Sequence, residues 1–387
     1  MSYLLALCLL ILLVITLILF RNLADFDNPE EYDPHSPQAL SVAICVPARN
    51  EERVIQRCVS TLIAQDYADY KIYVLNDNST DSTWETLCSL TSKHPDKLEI
   101  IQGKTKPDDW IGKPWACQQL SERAHADIII FADADTWFEP DAVSRTVSEF
   151  YREELDCITI WPEQELKTFG ENMLIPMVYY ALLGFLPVEY VRRTPKWLPR
   201  RFESKGNPLL AAACGQFLAF KYEVYEAIGK HEAVKNEVVE DVAFARLIKK
   251  KGYRLNMYHG LDTVHCRMYD NKKDLFEGFR KNFLAGFGYH IPLFLFAGLM
   301  HLLLYVLPFI TLVVAYVQEM ELLSGLSAIS VSLILLHRLL LALWFRWKAV
   351  YVVLHPLSVL WFQYLAILVL RDYLTGKPAV WKERPVR

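Results

Sequence analysis

Apolar residues in this chain fall into long blocks, and that segregation limits the fold more than any other feature. Residues 3–20 form an uncharged apolar run, near the minimum length for a membrane span. Three further apolar blocks follow His290, at 291–317, 322–345 and 349–370. Hydrophobic residues make up 53% of the chain and charged residues 22%. The first figure exceeds that of an ordinary soluble protein and the second matches one, so a water-facing domain must lie between the blocks. The expected organisation is a transmembrane anchor at 1–21, an acidic, proline-containing linker at 22–40, a folded domain at 41–290, transmembrane segments at 291–370 and a basic tail at 371–387.

The anchor lacks the basic start and small-residue cleavage site of a signal peptide, so it reads as uncleaved. Arg21, the nearest side-chain cation, sets the following domain on the cytoplasmic side of a multi-pass cell-membrane protein. The tail cations Arg371, Lys377, Lys382, Arg384 and Arg387 ask for the same side, as do Arg346 and Lys348. Three C-terminal crossings are then one too many. Either the last segment, with His355, Pro356 and Gln363, is re-entrant, or the tail lies outside.

A net charge of −4 gives no basic face for nucleic acid, which is excluded as a partner. The 8 cysteines form no C-x-x-C pair, and several sit in apolar runs. They read as buried free thiols in a reducing compartment rather than as a disulfide framework or a zinc site.

Within 41–290, short apolar strands at 41–46, 71–75, 98–101, 128–131 and 156–160 alternate with helical stretches. The helices are expected from 47–52 to about residue 65, after Asp81 or Ser82, at 115–124, after Pro140 and at 238–251. This alternation predicts an α/β fold with a mostly parallel sheet and ligands outside the carboxyl ends of its strands. The polar clusters at 47–52, 76–81 and 133–135 each follow a strand, so they should meet on one edge. Asp133 and Asp135, one residue apart after the run at 128–131, suit a hard divalent cation shared with substrate phosphates. A solvated acidic turn fits that stretch equally well.

Residues 169–205 change character. An apolar stretch broken by Pro176, Gly184 and Pro187 precedes Arg192, Arg193, Lys196, Arg200 and Arg201, with Trp197 among them. A segment lying on the membrane surface is one reading, and a buried helix with a basic loop is the other.

Five strings in order resemble those of the family 2 glycosyltransferases with a GT-A fold: V-P-A-R-N-E-E at 46–52, N-D-N-S-T-D at 76–81, D-A-D at 133–135, C-G-Q at 214–216 and E-D at 240–241. The likeness covers 41–290 and is greatest to the membrane-bound branch that glycosylates carotenoids, hopanoids or ceramide. It implies a Rossmann-like catalytic domain and an inverting transfer from a nucleotide-diphosphate sugar, UDP-linked, to a hydroxyl or carboxyl of a membrane lipid acceptor.

By that resemblance Pro47, Ala48, Asn50 and Glu51 line the nucleotide pocket and Asp77 contacts the base or ribose. Position 76 is Asn where many members carry Asp. Asp135, with Asp133, would hold Mg²⁺ or Mn²⁺ against the diphosphate, and Asp133 would also reach the ribose. Asp241 is the general base, with Glu240 in reserve. Gly215 and Gln216 lie near the donor sugar or acceptor, and Lys113, in G-K-P-W-A, reaches the diphosphate. The Q-x-x-R-W string of processive synthases is absent; Arg267, then Arg280, are the candidate diphosphate contacts. A processive polysaccharide synthase and a non-catalytic nucleotide-sugar-binding protein are the alternatives.

Overall fold

A computed structural model of the chain describes residues 1–31, 40–193 and 210–377, with the backbone of 380–381 and 384–385. Helix α1 (Ser2–Asp25) leads into an α/β domain whose strands are β1 (Val42–Ala48), β2 (Tyr70–Asn76), β3 (Leu98–Gln102), β4 (Ile128–Ala132), β5 (Thr136–Phe138), β6 (Cys157–Gln164), β7 (Phe217–Lys221) and β8 (Leu255–Cys266). They form one 8-stranded sheet in the order β3-β2-β1-β4-β7-β6-β8-β5. The four strands from β3 to β4 are mutually parallel, β7 is antiparallel to both neighbours, and β6 and β8 are parallel. β5 closes the far edge antiparallel to β8.

The all-apolar reading of β4 follows from its place near the middle of the sheet. Both faces are covered, so every residue from Ile128 to Ala132 is buried. Each buried isoleucine contributes about 1.5–3 kcal/mol. On β1 the pleat divides the side chains. Val42, Ile44 and Val46 join one core with α2 (Ile55–Ile63), α3 (Thr83–Lys93) and α5 (Ala142–Arg152). Ala43 and Cys45 join the other, with α4 (Gly112–Arg123), α6 (Phe169–Phe185) and α7 (Glu240–Lys250). That second core runs without a break into Leu12, Ile15 and Leu19 of α1 and into the C-terminal helices. The domain and the apolar helices therefore pack as one body.

Two expectations change. The polar stretch 49–52 does not open a helix: β1 runs through Ala48, Asn50 takes a left-handed φ of 52°, and α2 starts at Ile55. Side-chain bonds to the next loop compete with helix here. Asn50 N–H donates to Ser79 Oγ at 3.0 Å, and Glu51 N–H donates to Thr83 Oγ1 at 2.8 Å. Within 169–205, the stretch 169–185 is a helix with Tyr179, Tyr180 and Leu183 at 1%, 1% and 0% exposure and with Phe169 and Phe185 exposed at its ends. A capping box of Thr168 and Glu171 starts it. Lys196, Trp197, Arg200 and Arg201 lie outside the described residues, as do linker residues 32–39 and Lys382 and Arg387 of the tail. The acidic linker begins late, because α1 continues to Asp25.

After α8 (Lys272–Phe283) come α9 (Ile291–Tyr305), α10 (Leu307–Val317), α11 (Glu321–Trp344) and α12 (His355–Leu374). Among the described residues four helical segments are long and apolar enough to cross a membrane: 2–25, 291–317, 321–344 and 349–374. Arg346, just before the last of these, pairs with Asp262 of β8 at 2.6 Å. Asp372, in its final turn, pairs with Arg280 of α8. Both ends of the segment thus meet the α/β domain, as a re-entrant path requires. All eight cysteines are free, and Cys88 alone is exposed.

This path makes a test of sidedness direct. In sealed vesicles, an impermeant maleimide should label Cys88 and a cysteine at Thr375→Cys from the same face. Labelling from opposite faces would place a full crossing in the last segment.

Candidate active site

The strand-end loops converge on one ammonium group. Lys113 sits in the first turn of α4, where a cation opposes the helix dipole and gains nothing locally. Its Nζ reaches Asp133 Oδ1 at 2.7 Å, Glu240 Oε1 at 2.9 Å and the Gly215 carbonyl at 3.1 Å. All three of its protons are thereby used. Burial alone would push this ammonium down, but the Asp133 and Glu240 carboxylates outweigh it and hold Lys113 well above the usual lysine value. Lys113, Asp133, Gly215 and Glu240, drawn from four separate strings, therefore form one cluster.

Glu240 and Asp241 open α7 but face different partners. Glu240 is neutralised by Lys113. Asp241 accepts from two backbone donors: Gly215 N–H to Oδ2 at 2.7 Å and Val242 N–H to Oδ1 at 2.8 Å. Burial, and then the adjacent Glu240 carboxylate, push the Asp241 carboxyl up to about 6, against the pull of Lys113 and the two N–H groups. Glycine at 215 lets these groups close in, because a Cβ there would lie 3.1 Å from Lys113 Nζ and 3.3 Å from Asp241 Oδ2, tighter than an ordinary contact.

Asp133 and Asp135 sit in a tight turn between β4 and β5. Thr136 locks it by donating from Oγ1 to the Asp133 carbonyl at 2.7 Å. The Asp133 N–H donates to the Gln216 carbonyl at 3.2 Å, and the Asp135 carbonyl accepts from Arg267 N–H at 3.4 Å. Asp135 Oδ1 is buried. Among the described residues no three His, Cys, Asp or Glu side chains form a closed metal cage. Two carboxylates open to phosphate oxygens nevertheless suit Mg²⁺ or Mn²⁺, and the ammonium already on Asp133 marks a place built for positive charge.

The loops after β1 and β2 are stitched together. Asp77 N–H donates to the Ala48 carbonyl at 2.7 Å, next to Pro47 in β1, and Thr80 N–H donates to Asn50 Oδ1 at 2.8 Å. Arg49 spans the gap to the carbonyls of Asp77 and Asn78, at 2.7 and 2.8 Å. Asn76, at 3% exposure, uses both ends of its amide. Its Nδ2 donates to Gln102 Oε1 at 2.9 Å, and its Oδ1 accepts from Ser79 N–H at 3.2 Å. That dual bonding explains asparagine at this position.

Gln216 lies behind the carboxylates, buried, accepting from Gln164 Nε2 at 3.0 Å and donating to Cys266 Sγ at 2.8 Å. Arg267 touches the D-A-D turn through its backbone N–H, and its guanidinium pairs with Glu171 at 3.2 Å. Arg280 is not brought to the cluster; it bonds to Asp372 and to Glu277. Glu171, Gln164 and Cys266 were not among the expected site residues. The string Thr168-Phe169-Gly170-Glu171 is a capping box and marked Glu171, whereas nothing local marked the glutamines as paired.

Residues 43–229 match the model of glycosyl transferase family 2. The chain is 26% identical over 251 residues to 4,4'-diaponeurosporenoate glycosyltransferase of Staphylococcus aureus (strain USA300). That match spans 64% of this chain and 62% of the relative's length. Among solved structures, the chain resembles the mannosyltransferase PcManGT from Pyrobaculum calidifontis in complex with GDP-Man and Mn²⁺. The TM-score is 0.55 at 18% identity, over 96% of this chain and 99% of that one, which establishes likeness of fold. The sheet is thus of the GT-A kind.

Asn76→Asp tests the amide's double role. Aspartate cannot donate to Gln102, so the buried substitution should destabilise the domain by about 1–3 kcal/mol. Unchanged denaturant unfolding would show that the donor is not needed.

Proposed function

We propose, on the premise that this chain carries a glycosyl transferase family 2 domain, that it moves a sugar from a nucleoside-diphosphate donor to a hydroxyl or carboxyl of a membrane lipid, with inversion. The observation that carries this reading is the meeting of the D-A-D turn, Gly215 and the E-D helix start around Lys113. The relative named for diaponeurosporenoate supports a lipid acceptor. Helices long and apolar enough to span a membrane support a multi-pass protein, with its catalytic domain on the cytoplasmic face.

In the reaction, an acceptor oxygen forms a bond to the anomeric carbon as the bond to the nucleoside diphosphate breaks. For a hydroxyl acceptor, Asp241 takes the proton. Its carboxylate lacks the ammonium that neutralises Glu240, and its raised pKa makes it the better base. Lys113 lies where the diphosphate must gather charge, and Arg267 stands beside the same turn. Pro47, Ala48, Asn50, Glu51 and Asp77 lie in the stitched strand ends and form the nucleotide side of the site. Gly215 and Gln216 hold the floor between sugar and acceptor. Arg280 is spent on Asp372, so it ties the last helix to the domain. A divalent cation, Mg²⁺ or Mn²⁺, would be held by Asp135 and Asp133 and would neutralise the departing diphosphate.

Two variants and a pH profile test the assignment. Below about pH 6 the Asp241 carboxyl is protonated and cannot act as base, so kcat/KM toward a hydroxyl acceptor should fall on the acid side and level off above it. Asp241→Asn should remove transfer and leave the fold intact; retained transfer removes Asp241 from the base role. Gly215→Ala should lower kcat on the order of 10–100-fold by displacing Lys113 and Asp241. An unaffected rate would mean that this contact does not position the reacting groups.

A further inference from the structure

A second polar cluster lies among the apolar helices, away from the Lys113 site. Tyr180 of α6, His337 and Arg338 of α11, His355 at the start of α12 and Tyr305 at the end of α9 come together, at 0–3% exposure. His337 is satisfied at both nitrogens, by Thr16 Oγ1 and by Tyr180 OH, each at 2.7 Å. His355 is not: neither Nδ1 nor Nε2 has a hydrogen-bond partner, and both are buried. Its ring lies 5.7 Å from that of Tyr180 and 5.1 Å from that of Tyr305.

The Arg338 guanidinium contacts Met177 Sδ, and among the described residues no carboxylate pairs with it. A buried cation at membrane depth is expensive unless something of opposite charge joins it. The unpartnered His355 imidazole beside it supplies a further donor for an oxygen anion. On its flank the polar track continues through His301, whose Nδ1 meets Gln363 Nε2 at 3.2 Å. Both of these are only half-buried, beside the exposed Leu299 and Tyr364. An anion reaching this flank comes with an apolar body attached.

We propose that this cluster binds the oxyanion group of a membrane lipid, with Arg338 and His355 as its principal donors. Nine residues of α6 separate Glu171, the partner of Arg267, from Tyr180, about 13 Å along the helix. The bound group therefore sits apart from the reacting atoms, and the proposal goes beyond the transfer reading.

The test is retention of lipid by the purified full chain, read by native mass spectrometry without donor or turnover, so its outcome is independent of glycosyl transfer. The probes are phosphatidylglycerol, oleate and diacylglycerol. An oxyanion-bearing probe should be kept at one per chain while diacylglycerol is lost. Arg338→Gln and His355→Phe should each reduce that retention at least tenfold. Oleate kept alone identifies a carboxylate as the ligand, and phosphatidylglycerol kept alone identifies a phosphodiester. Equal retention of diacylglycerol, or unchanged retention in both variants, overturns the proposal. If Arg338→Gln fails to fold, His355→Phe and the comparison of probes on the unaltered protein decide.

Discussion

One ammonium group holds the acidic motifs of this protein together. Without Lys113, the carboxylates of Asp133 and Glu240 would face each other across a partly buried gap and repel. Charge-assisted bonds of this kind contribute about 1–3 kcal/mol when partly solvated. The larger consequence is positional. The ammonium fixes the start of α7 against the end of β4, and Gly215 completes the join by donating to Asp241 while its carbonyl accepts from Lys113. Two carboxylates adjacent in sequence are thereby given different roles. Glu240 stays in an ion pair, while Asp241 is left with backbone donors and a raised pKa.

The domain does not hang from its apolar helices on a tether. One hydrophobic cluster extends from β1 through α6 to α1, α11 and α12. Ion pairs from Arg346 to Asp262 and from Arg280 to Asp372 fasten both ends of the last apolar segment to the domain. Gly278 has a structural reason here, because the Tyr269 ring occupies the space its side chain would need. Its neighbour Phe279 packs on Trp361 and Phe362 of α12. The stretch 278–282 is therefore a coupling between the domain and the C-terminal apolar helices.

Much of this was legible in the sequence, for physical reasons that can be named. Parallel strands covered on both faces read as short apolar runs, so β1 to β4 and β6 were foreseen to within a few residues. The polar loops at their ends were expected to share one edge because ligands gather at the carboxyl edge of such sheets. β5, β7 and β8 were not foreseen: β5 has only 3 residues, and the 12 residues of β8 mix polar and apolar side chains without a clean apolar run. The polar run after β1 looked like a helix start and instead bonds across to the next loop, a choice decided by tertiary contacts. Lys113 was singled out from its string, but its bridging of Asp133 and Glu240 depends on residues 127 positions apart in sequence, from 113 to 240. The separate uses of Arg267 and Arg280 were likewise set by partners far along the chain.

The account stands or falls on what becomes of the sugar. The direct measurement follows label from UDP- and GDP-linked sugars supplied with Mn²⁺ to the full chain in bilayers containing candidate lipid acceptors. The account predicts label in an organic-soluble lipid carrying a single sugar. Label found only as free sugar, or in long water-soluble chains, would contradict it.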